Sequence, residues 1–402
     1  MCMKEKVIKI IKDFSWNIAA TALGTAVLQL LIYPFLARYT SVKEYGELLT
    51  IIGVANIVVV SAGGGLNNTR LIQQEKYEDG TEGDFNLFLG IVTILGCISF
   101  LIISLSFFKS STLNLIMLIG YTGLGIIRGY WSVAYRLKID YVLNFKLNLF
   151  ISMGYIVGVV IFKWTSLWVL PFLIAELIGV VYLYFTTSLY RERYVRTPLF
   201  NQSLKILIVL IINTLIGNVI IYLDRLVLYP ILGGAQVSVF TVSSFVGKSV
   251  GILVTPISGV LLSYYAQKNF KMTIKRYWMI NCIMLLGSVV LGGAAILCAP
   301  WITGLLYPTI ISKAIPYLLL ANGSALIGVL GNVISPAILK YADIKWQLII
   351  QLVYIVLYFG MGMVLLSAYG LYGFCIANLL VNGIKVIILL VIGHNGVKIR
   401  GN

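Results

Sequence analysis

Seven ionisable side chains lie inside otherwise apolar runs of this sequence: Arg128, Lys146, Arg225, Lys248 and Lys385 are basic, and Glu176 and Asp224 are acidic. Each would cost a few kcal/mol or more against hydrocarbon, so each calls for a partner or a wet cavity. Depth separates them. At 1.5 Å per helical residue, Lys248 lies roughly 16 Å inside its run, Lys385 about 12 Å and Arg128 about 10 Å. Lys146 is within snorkelling reach of water. Glu176 is either an ion-pair partner for one of the cations or a proton carrier. Asp224 and Arg225 are adjacent, hence about 100° apart on a helix, and point to different partners.

Five cations against two anions leave an excess of positive charge that an anionic solute would complement. A pyrophosphate offers several acceptor oxygens to Arg and Lys. Sugar hydroxyls could be met by the asparagines inside the runs, namely Asn17, Asn56, Asn213, Asn218, Asn322, Asn332, Asn378 and Asn382; singly, each also suits an interhelical hydrogen bond. Catalytic constellations are missing. The single histidine is His394, and no phosphate-binding glycine loop or metal-ligand spacing occurs. No cofactor, metal or nucleic acid is expected, and the reading is of a non-enzyme. Cys2, Cys97, Cys282, Cys298 and Cys375 show no paired spacing and read as small core residues.

The elements that hold these residues are membrane spans. Of 402 residues 60% are hydrophobic and 11% charged, and the mean hydropathy is +0.97, a balance that cannot cover a water-soluble surface of this size. Breaking the chain at charged or Pro/Gly-rich interruptions gives twelve helices, each long enough to cross about 30 Å of hydrocarbon. They run over 14–37, 45–66, 85–108, 112–135, 142–162, 166–187, 204–230, 237–265, 276–299, 314–339, 346–367 and 370–392. Met1–Asp13 is basic and lacks a small-residue cleavage site, so the first run is expected to stay as a span.

Charge fixes the expected orientation. Of the 30 Lys and Arg residues, 20 lie in the N-terminus, the even-to-odd connections and the C-terminus. Arg38, Lys43, Lys109, Lys163 and Lys313 lie in the opposite connections. The positive-inside rule then places both termini in the cytoplasm. An impermeant thiol reagent applied to whole cells is expected to label cysteines introduced at positions 109 and 313 and to spare those at 193 and 271; the opposite pattern would invert the topology.

The longest hydrophilic interruptions are Asn67–Asp84 and Ser188–Ser203. The second divides the chain into an N-terminal six-helix lobe (1–190), a cytoplasmic linker (191–203) and a C-terminal lobe (204–402). A repeat with a parallel relation is expected, echoed by Tyr33-Pro34-Phe35-Leu36 and Tyr229-Pro230-Ile231-Leu232. Lys4–Phe14 suits a helix lying on the membrane surface. Pro300–Ser312 suits an external interfacial turn with Trp301 and Tyr307 at headgroup depth.

Four segments resemble a known family. Leu31-Ile32-Tyr33-Pro34-Phe35-Leu36-Ala37-Arg38 with Glu44-Tyr45-Gly46 is similar to the opening of polysaccharide biosynthesis exporters, the flippases of undecaprenyl-pyrophosphate-linked O-antigen or capsule repeat units. These belong to the multidrug/oligosaccharidyl-lipid/polysaccharide exporter superfamily. Asp224-Arg225-Leu226-Val227-Leu228 resembles the start of that family's second half, although Tyr229-Pro230 stands where a small Gly-containing turn is expected. Ala299-Pro300-Trp301 through Leu305-Leu306-Tyr307, and Gly370-Leu371-Tyr372-Gly373 with Ala377, are also similar.

The resemblance implies an all-α polytopic, MATE-like fold with two six-helix lobes around a central cavity, alternating access, and the bacterial inner membrane. Its implied partners are a lipid-linked oligosaccharide, membrane lipids and the polysaccharide polymerase machinery. Competing readings are a MATE-type cation-coupled multidrug exporter, for which buried carboxylates would be the better match, and an O-antigen polymerase or ligase, which would need a large external loop. A purely structural scaffold would leave the intramembrane cations without a role.

Overall fold

The computed structural model describes residues 19, 22–77, 83–108, 111–192, 194–265, 271–343 and 345–400. The expected helix at Lys4–Phe14, together with Cys2, Asn17, Lys109, Arg193 and Lys268, lies outside them. Among the described residues there is helix and no strand. We number the helices α1 (Ala22–Tyr39), α2 (Val42–Gln73), α3 (Asp84–Phe107), α4 (Thr112–Leu137), α5 (Tyr141–Thr165), α6 (Leu170–Thr186), α7 (Phe200–Ile221), α8 (Leu223–Leu232), α9 (Gly234–Ser243), α10 (Phe245–Tyr265), α11 (Ile274–Leu306), α12 (Leu318–Tyr341) and α13 (Lys345–Arg400). All twelve expected spans overlap these helices. Nine helical stretches among the described residues are long and apolar enough to cross a membrane, and α6, with 17 residues, is a shorter apolar helix.

α13 is two arms. Gly370 has φ +60° and ψ −144°, a left-handed turn that only glycine adopts without strain. At Gly373 a Cβ would stand 2.0 Å from the Leu365 carbonyl oxygen. The motif Gly370-Leu371-Tyr372-Gly373 is thus a backbone requirement of the hairpin joining the last two spans. Outward faces are apolar, as hydrocarbon demands: Ile94, Ile102 and Leu105 on α3 and Leu286, Val289 and Val290 on α11 are all at least 60% exposed.

The chain forms two compact units: Met1–Leu36 with Glu47–Leu226, and Ala37–Gly46 with Val227–Asn402. This division differs from the expected boundaries, since residues 204–226 group with the first unit and 37–46 with the second. In the first unit α7 packs on α2, where Thr214 Oγ1 donates to the Ser61 carbonyl at 3.1 Å. Val59, Leu66, Phe85, Ile126, Tyr130 and Val133 form the core behind them. In the second unit Leu330, Ile334 and Ile338 of α12 pack against Val386 and Leu389 of α13.

The described parts of two hydrophilic interruptions prove to be folded. α2 runs through Asn67 and Asn68 to Gln73, so Arg70 is a helical residue, 2% exposed, and not part of a solvated loop. It forms a two-point ion pair with Glu192 at 2.7 and 3.1 Å over the Phe85 ring. Asn86 Nδ2 donates to the carbonyls of Leu189 and Glu192. Asp84, fully buried at the start of α3, accepts the Thr197 backbone N–H at 2.8 Å, the Thr197 hydroxyl and the Tyr77 hydroxyl at 2.9 Å. Burial first, and the Asp84 charge beside it, push the Tyr77 phenol up to about 12, so it remains a donor and Ser203 Oγ, at 2.7 Å, must supply the second proton.

The linker 188–203 is therefore clamped to the first unit. Arg70→Met removes the clamp without leaving a cavity, and Glu192 is then left nearer to solvent. A hydrogen bond to a charged group contributes about 1.5–3 kcal/mol, so tryptic cleavage after Arg191 and Arg196 in inside-out vesicles is expected to rise roughly tenfold. Unchanged cleavage would show that the pair does not hold the linker.

Two further expectations are corrected. α11 continues through Pro300 to Leu306, so the turn spans only Tyr307–Ile310. Trp301 is 83% exposed, but Tyr307 is 2% exposed, packed between Tyr45 (6.2 Å) and Phe245 (5.4 Å) rather than facing outward. Of the cysteines, Cys375 is buried as expected, whereas Cys282 and Cys298 face outward on α11, where a thiol is apolar enough for lipid.

Candidate functional site

The first unit gathers a cluster of polar and aromatic side chains around one ion pair. α4 brings Tyr121 and Arg128 to one face at a spacing of two turns, and α6 brings Phe172 and Glu176 to one face at a spacing of one. Arg128 Nη2 donates to Glu176 Oε1 at 3.0 Å, and Nε donates to Oε2 in the same fork. Glu176 is 2% exposed. In this structure the Glu176 carboxylate is held in an ion pair. Gly179, one turn beyond Glu176, makes room for it, because a Cβ there would stand 2.8 Å from Arg128 Cδ.

Around the pair, Tyr121 donates to Asn56 Oδ1 at 2.8 Å. Phe172 carries Tyr33, Tyr121 and Tyr155 on its ring at 6.1 to 6.2 Å. Arg225, just beyond the break between α7 and α8, donates to the Leu49 carbonyl at 2.8 Å and lies over the Tyr222 ring at 5.3 Å. Asp224 accepts the Arg225 backbone N–H at 2.9 Å, a local bond that caps α8 at its N-terminal end. Tyr121, Tyr155 and Tyr222 were not singled out by sequence reasoning, and Tyr33 was read only as part of a motif. The available signal was the Tyr121/Arg128 and Tyr222/Arg225 spacing, which puts each tyrosine on the face of a cation.

Lys146 is exposed on α5, as a snorkelling residue should be, and the structure does not bring it to the cluster. The remaining two cations lie in the second unit, joined by a row of rings. Lys248 Nζ stands 5.3 Å from the Phe240 ring centre and Lys385 Nζ 4.7 Å from that of Tyr354. Between them Phe240 meets Phe374 at 5.1 Å, Phe374 meets Tyr358 at 5.8 Å and Tyr358 meets Tyr354 at 5.7 Å. Lys248 is exposed rather than buried, and Lys385 is half-buried with no ion pair among the described residues. An ammonium over an aromatic face is attracted by the ring quadrupole, so the row of rings holds both cations in the second unit.

The intramembrane asparagines divide between structure and surface. Asn322 Oδ1 accepts the Gly247 N–H at 2.7 Å, and Asn382 donates to Ser324 Oγ at 3.0 Å; both tie helices of the second unit together. Asn213 and Asn332 are exposed.

The resemblance motifs acquire local causes. Ser41 and Glu44 form a reciprocal cap at the start of α2, with N–H to side-chain distances of 2.9 and 3.2 Å. Tyr45 is buried against Tyr307. A Cβ on Gly46 would stand 1.7 Å from the Gly234 carbonyl oxygen, so only glycine allows that approach. The Gly turn expected after Asp224-Arg225 is present a few residues later, at Gly233 with φ +76°.

No family model and no curated protein matches the sequence. Solved structures match it over nearly their whole length. The lipid II flippase MurJ in an inward closed conformation aligns with a TM-score of 0.74 at 14% identity, over 94% of this chain and 86% of that one. An inward-facing multidrug resistance MATE family transporter of the MOP superfamily aligns with a TM-score of 0.69 at 14% identity, over 96% of both chains. The Vibrio cholerae MATE transporter VcmN in the bent form aligns with a TM-score of 0.60 at 12% identity, over 98% of both. The fold is therefore the all-α polytopic membrane fold that MATE transporters share with MurJ.

Proposed function

We propose that the protein is a flippase that carries an undecaprenyl-pyrophosphate-linked oligosaccharide, an O-antigen or capsule repeat unit, across the bacterial inner membrane by alternating access. The observation that carries this reading is the division of charge inside the spans. Arg128 is neutralised by Glu176, whereas Lys385 meets an aromatic face and no carboxylate among the described residues. The excess charge available to a ligand is positive, and Lys385 carries it, with Lys248 on the same row of aromatic rings in the second unit. A pyrophosphate would replace its hydration with these groups and with cavity water, while the polyprenyl tail remains in lipid.

The fold is equally that of MATE transporters, which favours a cation-coupled multidrug exporter as the second reading. Cationic drugs would need an uncommitted carboxylate, and Glu176 is occupied by Arg128. Deletion of the gene separates the two. A flippase leaves unflipped lipid-linked oligosaccharide on the inner leaflet, restored to export by the wild-type copy; normal surface polysaccharide in a strain without a paralogue, combined with drug sensitivity, would establish the exporter reading instead.

A further inference from the structure

A second basic site lies in the first unit, at the end where the even-to-odd connections gather. A pocket of about 430 Å³ is lined by Lys138 from the α4–α5 connection, by Tyr184 to Ser188 at the end of α6, and by Tyr190 and Arg191 of the linker. Its wall is a stack: the Tyr184 and Tyr190 rings lie 4.4 Å apart and nearly parallel. Phe185, 78% exposed, extends the wall outward.

The two cations are held but not satisfied. Arg191 Nε donates to the Tyr190 hydroxyl at 2.9 Å, which fixes the guanidinium and leaves its terminal nitrogens without a partner among the described residues. The Lys138 side chain makes no hydrogen bond or ion pair among them. The nearby acids are committed elsewhere: Glu192 to Arg70, and Asp140 to the Leu143 N–H at the start of α5. The end of α6 does not absorb the cations either, since the Thr186 and Thr187 hydroxyls take the Tyr182 and Leu183 carbonyls at 2.8 Å.

We infer that this pocket binds the headgroup of an anionic glycerophospholipid from the leaflet on the basic side of the membrane. Lys138 and Arg191 meet the phosphate, and the Tyr184–Tyr190 stack with Phe185 lies along the upper acyl chain. Aromatic rings favour that depth, and basic pockets between transmembrane helices are suited to phosphate headgroups. Because Arg191 belongs to the clamped linker, a bound lipid would add a third point at which that linker is fixed.

The test uses the full chain in non-ionic detergent, titrated with short-chain phosphatidylglycerol and followed by native mass spectrometry. Phosphatidylcholine with the same tails and inorganic phosphate serve as comparisons. The wild type should retain phosphatidylglycerol and not phosphatidylcholine. K138Q/R191Q should bind it about 30-fold more weakly, the loss expected for two membrane-surface cations, with unchanged helical circular dichroism because both side chains are exposed. K138R/R191K should retain it. Equal retention by K138Q/R191Q would overturn the proposal. So would displacement by millimolar inorganic phosphate, which would mark a free-anion site, or an equal loss in K340Q/K398Q, which would mark bulk charge alone.

Discussion

Glu176→Ala is expected to lose about 3–5 kcal/mol of stability, the usual consequence of removing one partner from a buried ion pair. Glu176 is 2% exposed, and its charge partner among the described residues is the Arg128 guanidinium that it binds at two points. Without it, Arg128, packed beside Gly179 and only partly exposed, loses the carboxylate that receives it at two points. Membrane abundance and the midpoint of thermal unfolding in detergent should both fall sharply. Arg128→Leu/Glu176→Leu should restore them, because replacing both charges by apolar groups of similar size is often neutral or stabilising. The restored protein should also transport, since the pair is neutral as a unit. A double variant of normal abundance with no transport would show instead that the Glu176 carboxylate carries a proton during the cycle.

The second large effect is on transport alone. One lysine and one phosphate charge about 6 Å apart attract by about 3 kcal/mol at an effective dielectric of about 20, on the order of a 100-fold change in binding. Lys385→Ala and Lys248→Ala should therefore lose most export, and the Glu variants all of it, while Lys→Arg at either position keeps much of it. Folding should survive at Lys385, whose ammonium meets an aromatic face and no carboxylate among the described residues, and membrane abundance checks it at both positions. Export is measured in a complemented deletion strain, normalised to membrane abundance. Full activity in Lys385→Glu at normal abundance would remove that residue from any anion site.

The contrast between these experiments marks what could be read from the sequence. Arg128 and Lys385 look alike as letters, each a cation inside an apolar run, yet one is a structural charge and the other is available. The distinction rests on Glu176, 48 residues from Arg128 and on another helix. The clamp is a similar case: Asn67–Asp84 and Ser188–Ser203 both read as hydrophilic connections, and nothing local in either announces that Arg70 closes on Glu192 across 122 residues. Glu44-Tyr45-Gly46 was legible as a motif, but not as a helix cap, a buried ring and a place where two backbones touch.

The sequence by itself determined the all-helical, apolar class of the chain, the approximate positions of its apolar helices and the connections in which Lys and Arg gather. It also determined which ionisable residues must lie within the spans. Those properties are set by each residue and its near neighbours against a slab of fixed thickness, so a window of about twenty residues contains the physics. Tertiary structure alone decided which charges cancel, which tyrosines surround them and to which unit the linker is bound. Spans that are apolar on every face carry little periodic signal for which face meets which neighbour, and pairing energies depend on distances between helices far apart in the chain.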